Sequence, residues 1–170
     1  MGTGRRGFSL VEVVIAVGVF ATAIVTMLAL LPALVRQAAG TGDALAAQGL
    51  PDAIHLELER MAAGGFDQLA AAIPIMSAPL QNGLQLVAAR DGVRVQAESY
   101  GPAADPIAPA EQFFAAEVWR FDRAPLRYDP AGALMPLFVR VSWPFRLPGV
   151  GAPTALADRS QFTFTLVILR

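Results

Sequence analysis

From Val13 to Val35 the chain runs twenty-three residues without a charged side chain, and the run is closed by Arg36. As a helix rising about 1.5 Å per residue, such a run reaches roughly 35 Å, enough to cross the hydrocarbon core of a bilayer. Hydrophobic residues make up 55% of the sequence and the mean hydropathy is +0.49, but much of that excess lies between Phe8 and Val35. The average therefore misdescribes both parts. Arg5 and Arg6 precede the run, while Asp43 and Asp52 follow Arg36. The positive-inside bias then places the N-terminus in the cytoplasm and the remainder on the other side. A secretory signal peptide has a shorter apolar core that ends in a small-residue cleavage site, and this run is too long for that.

Glu12 breaks the pattern. It stands among the first apolar residues of "RRGFSLVEVVIAVGVF". A carboxylate about one helical turn into a membrane costs roughly 2.5–3.5 kcal/mol on insertion scales, so it needs a partner. A plain single-pass anchor supplies no reason for it. Snorkelling to the headgroups or protonation would account for Glu12 alone, but leaves the flanking glycine and arginines unexplained.

The hexapeptide Gly7-Phe8-Ser9-Leu10-Val11-Glu12, with its basic leader and following apolar helix, resembles the class III signal sequence of type IV prepilins and type II secretion pseudopilins. The resemblance implies cleavage between Gly7 and Phe8 by a prepilin peptidase, which also methylates the new N-terminus at Phe8. It implies that Arg5 and Arg6 are the leader's basic residues, and that Glu12 is the acidic fifth residue of the mature chain, acting in assembly. Its implied partners are that peptidase/methyltransferase, other pilin or pseudopilin subunits and the inner membrane. The Phe8 α-amine freed by cleavage is a cation, and Glu12 of a neighbouring subunit can pair with it where unpaired charge is costly. Such pairing sets axial register, as buried polar groups do in coiled coils.

Beyond the anchor, Pro32 is placed to kink the helix or end a turn. Gly40, Gly42, Gly49 and Pro51 are expected to break one long helix into segments. Leu50, Ile54, Leu58 and Met61 make an apolar stripe, with Asp52, Glu57, Glu59 and Arg60 for the other faces. The stretch "LQLVAARDGVRVQAE" predicts a β-hairpin turning at Asp91-Gly92, in which Ala88 faces Val95 and Leu86 faces Ala97. The segment 99–112, carrying Pro102, Pro106 and Pro109, is a loop. Of three further strand-like runs, "FAAEVWRF" is ambiguous in its alternation. "LFVRVSW" sets Leu137, Val139, Val141 and Trp143 on one face, and "FTFTLVIL" does the same with Phe162, Phe164, Leu166 and Ile168. A helix followed by a meander of antiparallel strands is an α+β layer, the helix covering one sheet face. The expected organisation is a leader at 1–7, a transmembrane and assembly helix at 8–35, and a periplasmic pilin-like domain at 36–170.

That order matches the architecture the resemblance implies. The absence of cysteine and the "FVRVSWP…FTFTLVIL" ending look more like a minor, I-type or PilV-like pseudopilin than a major pilin. The N-terminal segment is also similar to the pilin-like Verru_Chthon cassette proteins. Two devices of the family are not visible: the C-terminal disulfide loop of major pilins and the acidic calcium site of major pseudopilins, since the only acid after Asp129 is Asp158. The presence of Glu12 argues against the tip-capping pseudopilin, which characteristically lacks that carboxylate.

Composition limits the rest. The net charge is −1 and the thirteen basic residues are scattered arginines, which gives no electrostatic footprint for nucleic acid. Without cysteine there is no disulfide framework, thiolate metal site or cysteine nucleophile, and with His55 as the single histidine a zinc site is not expected. His55 with Glu59 four residues on is expected as a solvated surface pair, and Glu57, Glu59 and Glu117 act as an acid pair only if folding brings them together. No P-loop, G-x-S-x-G or G-x-G-x-x-G occurs, so neither an enzyme nor a cofactor is expected. Trp119 and Trp143 are expected in the core. Together with the Pro-rich loops, they also motivate the rival reading of an uncleaved, membrane-anchored periplasmic binding module.

Overall fold

A computed structural model describes residues 9–98, 106–147 and 149–170, apart from the side chains of Arg36 and Ala39. The leader and Phe8 lie outside the described residues. The chain divides into two compact units, Met1–Gly42 and Asp43–Arg170. Helix α1 (Leu10–Ala63) contributes to both.

The expected break at Gly40–Pro51 is not there: α1 is continuous through Pro32, Gly40, Gly42, Gly49 and Pro51. Propensity argues for a break at about 1 kcal/mol per glycine and about 3 kcal/mol for an interior proline. Burial argues the other way. Leu50, Ile54, Leu58 and Met61, all at 2% exposure or less, straddle Pro51 on one stripe, and each buried side chain of this size contributes about 1.5–3 kcal/mol. That sum exceeds the local cost only if the stripe stays on one rigid element. The helix ends instead at Gly64-Gly65, where Gly65 has a φ of 149°. A short helix α2 (Phe66–Ala72), too short to show an apolar period in the sequence, follows and buries Phe66, Leu69 and Ala70.

The second unit is an α+β layer consistent with a pilin-like fold. Its strands are β1 (Leu84–Ala89), β2 (Val95–Ala97), β3 (Gln112–Arg120), β4 (Leu134–Trp143) and β5 (Ser160–Leu169). They form one antiparallel sheet in the order β2-β1-β3-β4-β5. The predicted hairpin register holds, with Leu86 opposite Ala97 and Ala88 opposite Val95. Gly92 takes a φ of 71° at the hairpin tip, where only glycine is unstrained. Its backbone lies so close to α1 that an added Cβ would come within 2.7 Å of the Ala46 carbonyl oxygen. Beside it, the Arg90 guanidinium spans both carboxylate oxygens of Asp43 at 2.8 and 3.1 Å.

The α1 stripe packs on the sheet face formed by Leu86, Ala88, Phe114, Ala116, Val118, Leu137, Val139, Val141 and Ile168. Trp143, Phe162, Phe164 and Leu166, on the expected faces of β4 and β5, border this core half-buried. The ambiguity of "FAAEVWRF" has a physical cause: β3 is buried on both faces. Phe114, Ala116 and Val118 join the helix-side core, while Ala115 joins Val87 and Phe145 on the reverse. Trp119, fully buried, also lies on that reverse side, beside Phe138. A strand covered on two sides loses its apolar–polar alternation.

Candidate assembly segment

The N-terminal unit presents its residues without a core. No described residue of α1 before Gly42 is buried, and the helix carries an 18-residue window of mean hydropathy 2.7. It is long and apolar enough to cross a membrane. Leu28, Leu30, Leu31 and Leu34 are each more than half exposed, and transferring such side chains from water to an apolar medium gains about 1.5–3 kcal/mol apiece. The hydroxyls in this segment make no demand on a lipid environment. Thr22 donates to the carbonyls of Val19 and Gly18 at 2.8 and 3.1 Å, and Thr26 donates to that of Thr22 at 2.8 Å.

Glu12 occupies the first turn of α1. Its Oε2 accepts the Ser9 backbone N–H at 2.9 Å, while Ser9 Oγ accepts the Val11 N–H at 3.2 Å. This reciprocal arrangement is a capping box, which satisfies N–H groups that the first helical turn otherwise leaves without partners. The S-x-x-E signature of such a box is legible in the sequence from Ser9 to Glu12, where the membrane cost of the carboxylate is the more conspicuous feature. Capping contributes about 1 kcal/mol, and a carboxylate at a helix N-terminus another 0.3–1 kcal/mol or so. These fall short of the roughly 2.5–3.5 kcal/mol that the charge costs inside a membrane. Capping thus explains part of Glu12 and leaves room for a further cation. The carboxylate already reaches the backbone of Ser9, the residue that follows Phe8. Toward the other end of α1, Glu12 shares a face and a shallow groove with Val13, Ala16, Val17 and Phe20. Gly7, Phe8, Arg5 and Arg6 themselves lie outside the described residues.

The titratable side chains singled out in the second unit are held apart. His55 Nε2 meets Glu59 at 3.3 Å as an exposed pair, and the Glu57 carboxylate accepts from Nε and Nη2 of Arg60, each at 2.7 Å. Glu117 instead binds Arg140, at 2.6 Å, on the reverse face of the sheet. Arg159 lies on the same side, donating to the Thr154 carbonyl and to Ser142 Oγ. Burial lowers its pKa, an effect opposed by the charge of Glu117 and reinforced by that of Arg140. Among the described residues, no group of three or more His, Asp or Glu comes together as a metal site.

Both tryptophans pack against their neighbours. Trp119 Nε1 donates to the Gln81 carbonyl at 3.0 Å, and its ring is pressed against the backbone at Gly83, where a Cβ would come within 2.8 Å of it. Trp143 packs between Phe114 and Phe162. An open groove of about 780 Å³ does run between α1 and the hairpin tip, where Leu45, Leu56 and Val93 are exposed beside Asp52, Glu59 and Asp91. No family model, curated protein or solved structure matches the chain.

Proposed function

We propose that the chain is a prepilin-type structural subunit, cleaved between Gly7 and Phe8, methylated on Phe8, and assembled through its apolar helix into a type IV pilus or type II secretion pseudopilus as a minor component. Before assembly it is stored in the inner membrane, with a cytoplasmic N-terminus and a periplasmic sheet domain. The observation that carries this reading is Glu12: a carboxylate in the first turn of an otherwise uncharged run, at fixed spacing behind Gly7-Phe8. Cleavage would create an α-amine one residue before Ser9, at the end of the helix where the Glu12 carboxylate already sits. A cation there offsets the cost of burying that carboxylate. When the cation belongs to a neighbouring subunit, the pair fixes how far one helix slides along the next.

Mass spectrometry of the N-terminal peptide from native membranes tests the processing. A chain beginning at methylated Phe8 is expected, and one that retains Met1 to Gly7 would instead make the protein an uncleaved, membrane-anchored binding module. Glu12→Ala is expected to insert in the membrane normally and to fail in filament incorporation. Normal incorporation of that variant would sink the role assigned to Glu12.

A further inference from the structure

The two edges of the sheet are unlike. The β2 edge is three residues long and flanked by Arg94 and Glu98, the short charged form by which proteins discourage edge pairing. The β5 edge is ten residues long, "SQFTFTLVIL", with no charge, proline or glycine. Among the described residues β5 pairs with β4 alone.

Its free groups can be assigned. The Arg170 N–H donates to the Ala133 carbonyl at 2.9 Å, and the β4–β5 register is constant from Leu134 opposite Leu169 to Trp143 opposite Ser160. In an antiparallel ladder bonded pairs alternate, so Ser160, Phe162, Phe164, Leu166 and Ile168 direct their backbone groups at β4. Pro136 agrees: it stands opposite Val167, a pair that exchanges no bonds and so needs no N–H. Gln161, Thr163, Thr165, Val167 and Leu169 therefore turn their N–H and C=O groups outward. Phe162, Phe164 and Leu166, on the core side, remain only half-buried at the margin of the helix-covered face.

We propose that β5 is a docking edge for a second copy of this chain, the two β5 strands pairing antiparallel about Thr165. In that register the outward groups of Thr163 meet those of Val167 in the second copy, Gln161 meets Leu169, and Thr165 meets its own counterpart. On the core side the half-buried Phe164 comes opposite Leu166 of the second copy, at the close spacing of a non-bonded pair, while Phe162 comes opposite Ile168, which its own chain already buries. The ends are complementary in charge. Arg170, whose guanidinium also donates to Asp67 and to the Pro130 carbonyl of its own chain beside the Phe66 ring, comes opposite Ser160 and brings its charge toward the exposed Asp158 of the other copy, whereas a parallel pairing sets Arg170 beside Arg170. Arg159 does not interfere, because its guanidinium is drawn to Thr154 and Ser142. A two-fold contact of this kind closes on itself and cannot propagate. The pair is thus a resting dimer, separate from helix-mediated assembly and independent of whether Gly7-Phe8 is cleaved.

The absence of cysteine makes the test clean, since an introduced thiol is the only one in the chain. Full-length T165C in detergent is expected to form a disulfide dimer on mild oxidation. The paired Cα atoms of an axial bonded pair stand about 5.5 Å apart, within disulfide reach. V93C, at a hairpin-tip position that is 75% exposed, reports random collision. T165C should cross-link roughly tenfold faster than V93C, as expected for thiols held at high effective concentration. T163C mixed with V167C should give the heterodimer in preference to either homodimer. Equal rates for T165C and V93C would overturn the proposal. So would capture of the T165C thiol by a different protein in native membranes, which would show the edge to belong to another partner.

Discussion

Replacing Gly92 by alanine tests whether the β1–β2 hairpin tip is seated on α1 as closely as the structure shows. Two penalties combine there. Alanine at a φ of 71° sits in the left-handed region at about 1–2 kcal/mol. Its Cβ would also meet the Ala46 carbonyl oxygen at 2.7 Å, a helix backbone atom that cannot swing aside as a side-chain tip can. Overpacking of this kind costs about 1–3 kcal/mol, so G92A should lose about 2–5 kcal/mol in all. Gly149 supplies the control. Its φ is 79°, but nothing lies within 4 Å of an added Cβ, so G149A should lose only the conformational part, about 1–2 kcal/mol. The assay is thermal unfolding of the full chain in detergent, followed by tryptophan fluorescence, since Trp119 is fully buried. For a domain of this size 1 kcal/mol shifts the midpoint by roughly 3–5 °C, so G92A should melt several degrees below G149A. Equal losses would refute the contact between the hairpin tip and the helix.

Leu58→Ala, at 0% exposure in the middle of the helix stripe, should cost about 2–5 kcal/mol in urea unfolding, while Leu56→Ala, at 70% exposure, should cost far less. Glu117→Gln leaves Arg140 and the desolvated Arg159 without a nearby carboxylate. With side chains 14% and 23% exposed the pair is partly screened, so a loss of about 1–3 kcal/mol is expected from the urea midpoint. The Tyr128 phenol is held above its ordinary value of 10.0 by desolvation first, then by its hydrogen bond to Asp67 and that residue's charge. A raised phenol pKa stabilises the fold below the unfolded value, and this is lost as pH climbs toward the folded one. Urea midpoints should therefore fall as pH rises past about 10, less steeply in Tyr128→Phe.

Where one face of an element meets solvent, the sequence was legible. β4 and β5 alternate cleanly because one row meets the core and the other does not, and Asp91-Gly92 fixes the hairpin register. Where the environment is two-sided or long-range, it was not. β3 hides its alternation because Phe145 and the Gln81–Gly83 backbone cover the face opposite α1. The continuity of α1 through Gly49 and Pro51 is decided by residues far along the chain, such as Ile168, which no local propensity registers. At the candidate site Glu12 stood out because a lone carboxylate in an apolar run is conspicuous. Its capping role is equally legible in Ser9-x-x-Glu12, but that signature is short and the apolar run around it dominates the pattern.

The strand order has a consequence for how the protein is made. Neighbouring strands of the sheet are consecutive in the chain, except that β2 is set outside β1, so most pairings form between strands that leave the ribosome one after the other. The stripe from Leu50 to Met61 must instead wait for partners as late as Ile168. At 5–20 residues per second, translation leaves that stripe only partly covered for roughly 5–20 s. During that interval a nascent chain displays an apolar helix face with only part of its sheet to receive it, and a holdase would have to shield it until β5 emerges.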